Sequence, residues 1–135
     1  MIKITLPKFD FDINVTGLDE PDINNRATRS HFYGLLVDQI GWKKEGVYIL
    51  YDSDGPIYVG RSLNLNERVC SHLVGAEAST REHVRNVKSV KGFFVRDICD
   101  QEIYEAYAIK TMKPKLNKAK TERIRGNYRS AKAHV

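Results

Sequence analysis

The sequence predicts a small α/β (α+β) domain in which helices flank a three-stranded antiparallel sheet, with an N-terminal strand and helix in front of it. Two β-branched and aromatic segments, 46–51 and 57–60, enclose turn residues and predict a hairpin. A third such segment spans 92–98, and segments with helical patterns surround it. The resulting order, β-β-α-(α)-β-α, fits one domain within 135 residues.

The elements of the first 44 residues come from simple patterns. Alternation of Phe9, Phe11, Ile13 and Val15 with polar residues predicts a half-buried strand. The same alternation precedes it at Ile2, Ile4 and Leu6, before a turn-rich stretch at 17–25 and a helix at 26–40 that ends at Gly41. We interpret residues 1–44 as an extension packed on a core domain at 45–118, with a tail at 119–135.

The remaining helices have recognisable ends. Asn64 and Glu67 have the spacing of a capping box, which predicts a helix to about Val74. A second helix is predicted from Thr80 to Ser89. A third helix is predicted from a cap at Asp100 to about Lys113, where Pro114 stops it.

Charge is concentrated at the C-terminus. The chain has 22 Lys+Arg and 17 Asp+Glu, and eight of the bases but one acid lie between Lys113 and Val135. Such a stretch suits a polyanion such as nucleic acid, and a solvated basic tail explains the charge equally well. No apolar run reaches the ~18 residues of a membrane span, and no signal peptide is evident. The two cysteines and four histidines are scattered, which argues against a disulfide framework or a metal cluster and favours a cytoplasmic protein.

Glu105 lies on an apolar helix stripe with Ile109 and Met112. A carboxylate there needs a partner, and either a tyrosine or arginine contact or a metal ion would supply one. The opposite side of the same helix is also apolar, at Ile103, Tyr104 and Tyr107. We therefore expect the N-terminal strand and helix to cover that side, so that deletion of residues 1–44 leaves an insoluble protein.

A set of residues around the hairpin resembles the GIY-YIG nuclease family. The resemblance covers roughly 45–118 and rests on Gly46-Val47-Tyr48, Tyr58-Val59-Gly60-Arg61-Ser62, Asn64-Leu65, Arg68, His72, Glu105 and Lys113-Pro114-Lys115-Leu116-Asn117. Val47 and Val59 replace isoleucines of the family. Arg61 stands where many relatives carry lysine, and its guanidinium is a poor proton acceptor.

The resemblance implies a DNA endonuclease that depends on Mg²⁺ (or Mn²⁺) and hydrolyses phosphodiester bonds by a one-metal mechanism. It implies that Glu105 is the metal ligand and that Asn117 braces the wall of the site. The implied catalytic residues are Tyr48, Tyr58, Arg61, Arg68, His72 and Glu105. The bacterial or phage-encoded enzyme would act in the cytoplasm, at the nucleoid, as a monomer or a homodimer.

Each implied role has an ordinary structural alternative. We expect Tyr48 to accept the proton of the attacking water, with His72 or a metal-bound hydroxide taking it onward, and Tyr58 to orient the water or phosphate. Without the family pattern, both tyrosines are simply strand aromatics. Arg68 would bind the scissile phosphate through its planar fork, or form a surface ion pair with Glu67 or another acid. His72 would otherwise be a half-exposed helix histidine, and Asn117 a turn residue.

The basic C-terminal stretch is the expected DNA contact. Its candidate residues are Lys113, Lys115, Lys118, Lys120, Arg123 and Arg125. The alternative to a nuclease is a non-catalytic basic module that binds nucleic acid on the same fold.

Overall fold

The computed structural model describes residues 2–15 and 26–117. The strands are β1 (Phe11–Asn14), β2 (Gly46–Asp52), β3 (Gly55–Ser62) and β4 (Ser89–Phe94). The α-helices are α1 (Arg26–Ile40), α2 (Leu65–Leu73) and α3 (Ile98–Met112), and short 3₁₀ helices span Arg81–Asn86 and Lys115–Asn117. No helix among these residues is long and apolar enough to cross a membrane.

The antiparallel sheet is confirmed, with four strands in the described chain where we expected three. Their order is β1-β4-β2-β3, and every neighbouring pair is antiparallel. The additional strand comes from the N-terminal extension, because β1 pairs with the edge of β4 from Phe11 opposite Gly92 to Asn14 opposite Ser89. The predicted alternation holds at Phe11, Ile13 and Val15, which are buried, but Phe9 is 44% exposed.

The two faces of the sheet bury different helices. Helices α1 and α2 pack together on one face, over a cluster that includes Phe32, Leu36, Tyr48, Leu65 and Val69. Helix α3 packs on the other face, where Ala108 and Ile109 contact Val47, Ile49, Val59 and Phe93. Successive residues of β2 from Val47 to Leu50 therefore point to different helices.

The expectation that the extension covers the outer side of α3 is wrong for its strand and its helix. α1 lies on the opposite face with α2, because its own apolar face packs there, and Ile103 of α3 remains 50% exposed. From the N-terminal segment, Leu6 packs against the cluster beneath α3.

The helix ends agree with the sequence prediction at α1 and α2 and differ from it later in the chain. α1 ends at Ile40, and Asn64 caps α2 by accepting a hydrogen bond from the Glu67 amide at 3.4 Å. The cap of α3 is Asp97 instead of Asp100, since its carboxylate accepts the Asp100 amide at 3.0 Å. The predicted helix at 80–89 is a 3₁₀ helix that ends at Asn86, and β4 begins at Ser89, three residues earlier than expected.

Candidate active site

Two glycines of the hairpin allow close approach by bulky neighbours. Tyr48 and Gly60 are register partners on β2 and β3, and a Cβ at residue 60 would overlap the Tyr48 hydroxyl. A Cβ at residue 46 would overlap the carbonyl of Phe93 on β4. The glycines thus fix where the Tyr48 ring lies and how closely β2 and β4 pack.

Tyr48 belongs to a buried chain of hydrogen bonds. Its hydroxyl lies 2.7 Å from Nε2 of His72, and Nδ1 of His72 lies 2.7 Å from the Thr80 hydroxyl. Tyr48, His72 and Thr80 are 1%, 2% and 1% exposed, so bulk water does not compete for these bonds. The burial of His72 excludes the half-exposed helix histidine that its sequence context also allowed.

The electrostatics of this chain keep both aromatic groups neutral near pH 7. Burial, with the nearby positive charge of Arg68, lowers the pKa of His72 to about 4. Burial raises the pKa of Tyr48 well above its usual value, although Arg68 opposes that shift. A neutral imidazole therefore faces a neutral phenol.

Tyr58 lies closer to solvent than Tyr48. Its ring centroid is 4.9 Å from that of His72 and 6.2 Å from that of Tyr48, and its side chain is partly buried. Burial raises the pKa of Tyr58, while a hydrogen bond with the Ser79 side chain and the charge of Arg68 act in the opposite direction. Tyr58 is thus the easier of the two phenols to ionise.

A groove of about 460 Å³ runs along the start of α2. Its lining comprises Arg61, Ser62, Leu63, Asn64, Glu67, Arg68, Ser71 and Glu77. Arg68 is half exposed and lies 3.7 Å from the Glu77 carboxylate, an ion pair that matches the surface alternative weighed for this arginine. Such an exposed pair holds the guanidinium weakly, which leaves it able to exchange Glu77 for a phosphate.

Glu105 projects from α3 towards the end of β3. It is 8% exposed, and its carboxylate lies 3.9 Å from the Arg61 guanidinium, which also contacts Glu102 at 3.2 Å. Both tyrosines are affected by the negative charge of Glu105, which raises their pKa values. The carboxylate thus belongs to the same electrostatic environment as the phenols.

Asn117 holds the edge of the sheet beside the site. Its side-chain oxygen accepts the Val59 amide at 2.7 Å, and its side-chain nitrogen donates to the Val59 carbonyl at 2.9 Å. These two bonds imitate a neighbouring strand, and they join the segment after α3 to the strand that carries Tyr58 and Arg61.

The structure brings most of the predicted site residues together. The rings of Tyr48, Tyr58 and His72 contact one another at tilted angles, Arg61 lies 3.9 Å from the Glu105 carboxylate, and the charge of Arg68 influences the pKa values of all three aromatic groups. Of the predicted DNA contacts, Lys113 is exposed at the end of α3, and Lys115 donates to Asp52 at 3.0 Å. Lys118, Lys120, Arg123 and Arg125 lie outside the described residues.

Three residues of the site were not predicted from the sequence. Glu77, Ser79 and Thr80 lie between α2 and the following 3₁₀ helix, and they contact Arg68, Tyr58 and His72 respectively. They follow no spacing rule relative to the hairpin, and the sequence pattern predicts a helix from Thr80 where the structure has a turn that leads into a 3₁₀ helix.

The donor set limits which metal ion the site can hold. Among residues 2–15 and 26–117, no group of three or more His, Cys, Asp or Glu side chains is arranged to bind a metal. A zinc centre needs such a group, whereas Mg²⁺ keeps several waters and is often held by one or two carboxylates. Glu105 therefore fits Mg²⁺ better than a metal that requires a protein cage.

A comparison with protein families identifies the region that contains these residues. The sequence profile of the UvrC-like GIY-YIG domain matches residues 44–118. The uncharacterized protein YurQ of Bacillus subtilis is 27% identical over 119 residues, which cover 87% of this chain and 94% of YurQ. UvrABC system protein C of Flavobacterium psychrophilum is 39% identical over 75 residues, 53% of this chain and 12% of that much longer protein.

A solved structure has the same fold. The N-terminal GIY-YIG endonuclease domain of UvrC from Thermotoga maritima, bound to magnesium as its catalytic divalent cation, superposes with a TM-score of 0.53. The match covers 69% of this chain and 98% of that domain at 24% sequence identity. At this level of identity the likeness establishes the fold.

Proposed function

The chain belongs to the UvrC-like GIY-YIG domain family, and from that premise we propose that it is a Mg²⁺-dependent DNA endonuclease that hydrolyses phosphodiester bonds. One observation supports this function above the others. The hydrogen-bonded pair of Tyr48 and His72, 24 residues apart in sequence, lies beside Tyr58, and both phenols share the electrostatic influence of Arg68 and Glu105. Phosphodiester hydrolysis needs cations for the phosphate and a group that accepts a proton from water.

Glu105 is the proposed ligand of the metal ion. The carboxylate is nearly buried, yet it borders a site that holds an exposed arginine and a half-buried phenol. A bound Mg²⁺ would supply a Lewis acid for the phosphate and positive charge that favours ionised phenols. Arg61, beside Glu105, would share the phosphate and hold the carboxylate in place.

Exposure favours Tyr58 as the proton acceptor, the reverse of the roles that we expected from the sequence. Tyr48 is 1% exposed and already bonded to His72, so an attacking water has little access to its oxygen. Tyr58 is more exposed, and although burial and the charge of Glu105 raise its pKa, Ser79 and Arg68 oppose that rise. In this proposal Tyr58 takes the proton of the water. The uncharged rings of Tyr48 and His72 contact the Tyr58 ring and hold it in position.

Arg68 is the proposed phosphate ligand. Its guanidinium carries parallel N–H donors that suit two phosphate oxygens, and its partner Glu77 is 31% exposed and can be displaced by a polyanion. The negatively charged phosphate would take the place of the Glu77 carboxylate beside Arg68. The guanidinium would therefore keep an anionic partner.

Cleavage of supercoiled plasmid tests the proposed function. Wild-type protein, Glu105→Gln and Glu102→Gln are each incubated with Mg²⁺ and with EDTA. Both glutamates contact Arg61, but Glu102 is exposed and Glu105 is buried at the site, which makes Glu102→Gln the matched control. We expect wild type and Glu102→Gln to nick the plasmid with Mg²⁺ alone, and Glu105→Gln to lose at least ~100-fold in rate.

The same experiment separates the nuclease from its alternative. A basic module that binds nucleic acid without cutting would retard the plasmid in a gel and leave it supercoiled in every lane. Equal nicking by wild type and Glu105→Gln would contradict the proposed site.

A further inference from the structure

The loop between α1 and β2 presents an unusual surface beside the groove. This Trp42 loop (residues 41–45) contains the single tryptophan of the chain, followed by Lys43 and Lys44. Trp42 is 65% exposed, although a tryptophan is usually largely buried. Its ring contacts Tyr33 at a centroid distance of 5.9 Å and an interplanar angle of 65°, an edge-to-face arrangement that orients the indole.

The loop is fixed to the first turn of α2. The Leu65 amide donates to the Lys44 carbonyl at 2.8 Å, and the fully buried Asn66 side chain donates to the Gly41 carbonyl. Gly41 adopts a φ of +98° that favours glycine, and its amide donates to Val37 at 2.9 Å. The exposed indole therefore stands on a constrained backbone.

The same turn of α2 forms one end of the groove. Leu63 and Asn64 line the groove, and Leu65 and Asn66, directly after them, bind the Trp42 loop. Leu63, which lines the groove, is itself 55% exposed. The loop thus continues the surface on which the scissile phosphate is proposed to lie.

Charge along this surface is complementary to a nucleic-acid strand. Lys43 and Lys44 follow Trp42 in the loop, where Nζ of Lys44 lies 5.4 Å from the centroid of the Phe94 ring, and Arg68 and Arg61 line the groove. Two acids also line the groove: Glu67 accepts a hydrogen bond from the Asn64 side chain at 3.3 Å and belongs to the helix cap, and Glu77 is the ion-pair partner of Arg68. Aromatic rings beside lysines are typical of surfaces that stack unpaired bases and neutralise the adjoining phosphates.

We propose that the Trp42 loop is a stacking platform for an unpaired DNA base, and that this chain therefore prefers DNA with an unpaired segment next to the cut. A base inside a paired duplex is stacked on both sides and cannot also lie on the indole, whereas an unpaired base can. The inference rests on the proposed function for its substrate, DNA, and adds which form of DNA is preferred.

The single tryptophan provides a direct measurement. Glu105→Gln protein, which we expect to bind DNA without cutting it, is titrated with a duplex that contains a central unpaired bubble and with the fully paired duplex of the same length. Indole fluorescence is followed. EDTA-treated wild-type protein repeats the titration, so that the result does not depend on the folding of the Glu105 variant. We expect quenching by bubble DNA and little change with paired DNA.

Two substitutions distinguish stacking from simple charge attraction. Trp42→Ala, followed by anisotropy of labelled DNA, should bind bubble DNA roughly ten- to hundredfold more weakly and paired DNA about as well as the parent. Trp42→Phe should restore much of that loss. Lys43→Ala should weaken binding to both DNAs alike and reduce the salt dependence.

Each contrary result has a separate meaning. If bubble DNA binds without a change in indole fluorescence, or if Trp42→Ala weakens both DNAs equally, the inference is wrong while the nuclease proposal stands. If the protein binds neither DNA, the inference fails together with the proposed substrate. If bubble DNA quenches Trp42 but wild type never nicks plasmid, the platform is supported and the proposed chemistry fails.

Discussion

The hydroxyl of Tyr48 lies 2.7 Å from Nε2 of His72, and the strand opposite Tyr48 carries Gly60 where any Cβ would displace that hydroxyl. The hairpin and α2 are therefore joined by a polar contact inside an apolar cluster. A buried polar pair of this kind specifies one arrangement of the surrounding side chains, because either group alone would be left without a partner.

Neutral His72 should make the protein sensitive to acid. The pKa of His72 is lowered from 6.5 to about 4 in the folded state, so between these pH values the unfolded state binds the proton and the folded state does not. The free energy of unfolding therefore has its full value above pH 6.5 and decreases as the pH falls towards 4. The decrease is roughly 1.4 kcal/mol per pH unit and roughly 3 kcal/mol in all. Urea denaturation at pH 7, 6 and 5 measures this decrease.

His72→Gln is the control for the acid effect. This variant lacks the titrating group, so its stability should depend less steeply on pH across the same window, even if it is less stable at pH 7. An identical slope for the variant and wild type would show that other groups cause the loss.

The two tyrosines should differ in how they affect the pH dependence of cleavage. If Tyr58 accepts the proton, the wild-type cleavage rate rises with pH as more phenolate forms. Tyr58→Phe should then lower the rate at least ~100-fold and abolish its rise with pH. Tyr48→Phe should lower the rate by a smaller factor and keep the rise with pH. Single-turnover cleavage rates between pH 6 and 9 distinguish Tyr58 from Tyr48 as the proton acceptor. Loss of the pH dependence in Tyr48→Phe alone would show that the two roles are reversed.

Asn117 should stabilise the sheet edge that carries the site. Asn117→Ala leaves the buried Val59 amide and carbonyl without their side-chain partners, which predicts a loss of about 2–4 kcal/mol in the free energy of unfolding. Asn117→Asp keeps the acceptor for the Val59 amide but places a second carboxylate oxygen, in a buried position, against the Val59 carbonyl, so it should lose at least as much. Thermal denaturation of the three proteins tests the assignment, and an unchanged midpoint for Asn117→Ala would exclude it.

The basic segment after Asn117 should add affinity without sequence preference. Truncation after Asn117 removes six of the eight basic residues that lie between Lys113 and Val135, so DNA binding should weaken and its salt dependence should become shallower. Binding to several unrelated duplexes at two or three salt concentrations measures both effects. Weakening confined to one DNA sequence would mean that this segment reads bases.

Local signals in the sequence predicted much of the hairpin and its following helix. The capping box at Asn64 and Glu67 and the turn residues of the hairpin act over a few residues, and these elements have the predicted identities. The partner of β1 could not be predicted in this way, since pairing with β4 depends on long-range register. A strong local cap at Asp97 was also missed, because Asp97 was assigned to the preceding strand.

The candidate site shows the same division between local and distant information. The family pattern located the hairpin tyrosines, Arg68, His72 and Glu105, but it gave no indication that His72 is buried or that Thr80 holds its second nitrogen. Those features arise where the chain after α2 turns back over the helix, and no spacing within that segment encodes the turn. The exposure difference between Tyr48 and Tyr58 likewise follows from packing and not from residue type.

The proposed role of Glu105 is tested most directly by measuring whether its carboxylate holds a divalent ion. Binding of Mn²⁺, followed by its electron paramagnetic resonance signal, is compared for wild type, Glu105→Gln and the matched control Glu102→Gln, with circular dichroism to verify folding. We predict that wild type and Glu102→Gln each bind one Mn²⁺, that folded Glu105→Gln binds it at least about tenfold more weakly, and that Mg²⁺ competes for the site. Equal Mn²⁺ affinity in all three proteins would contradict the proposed role.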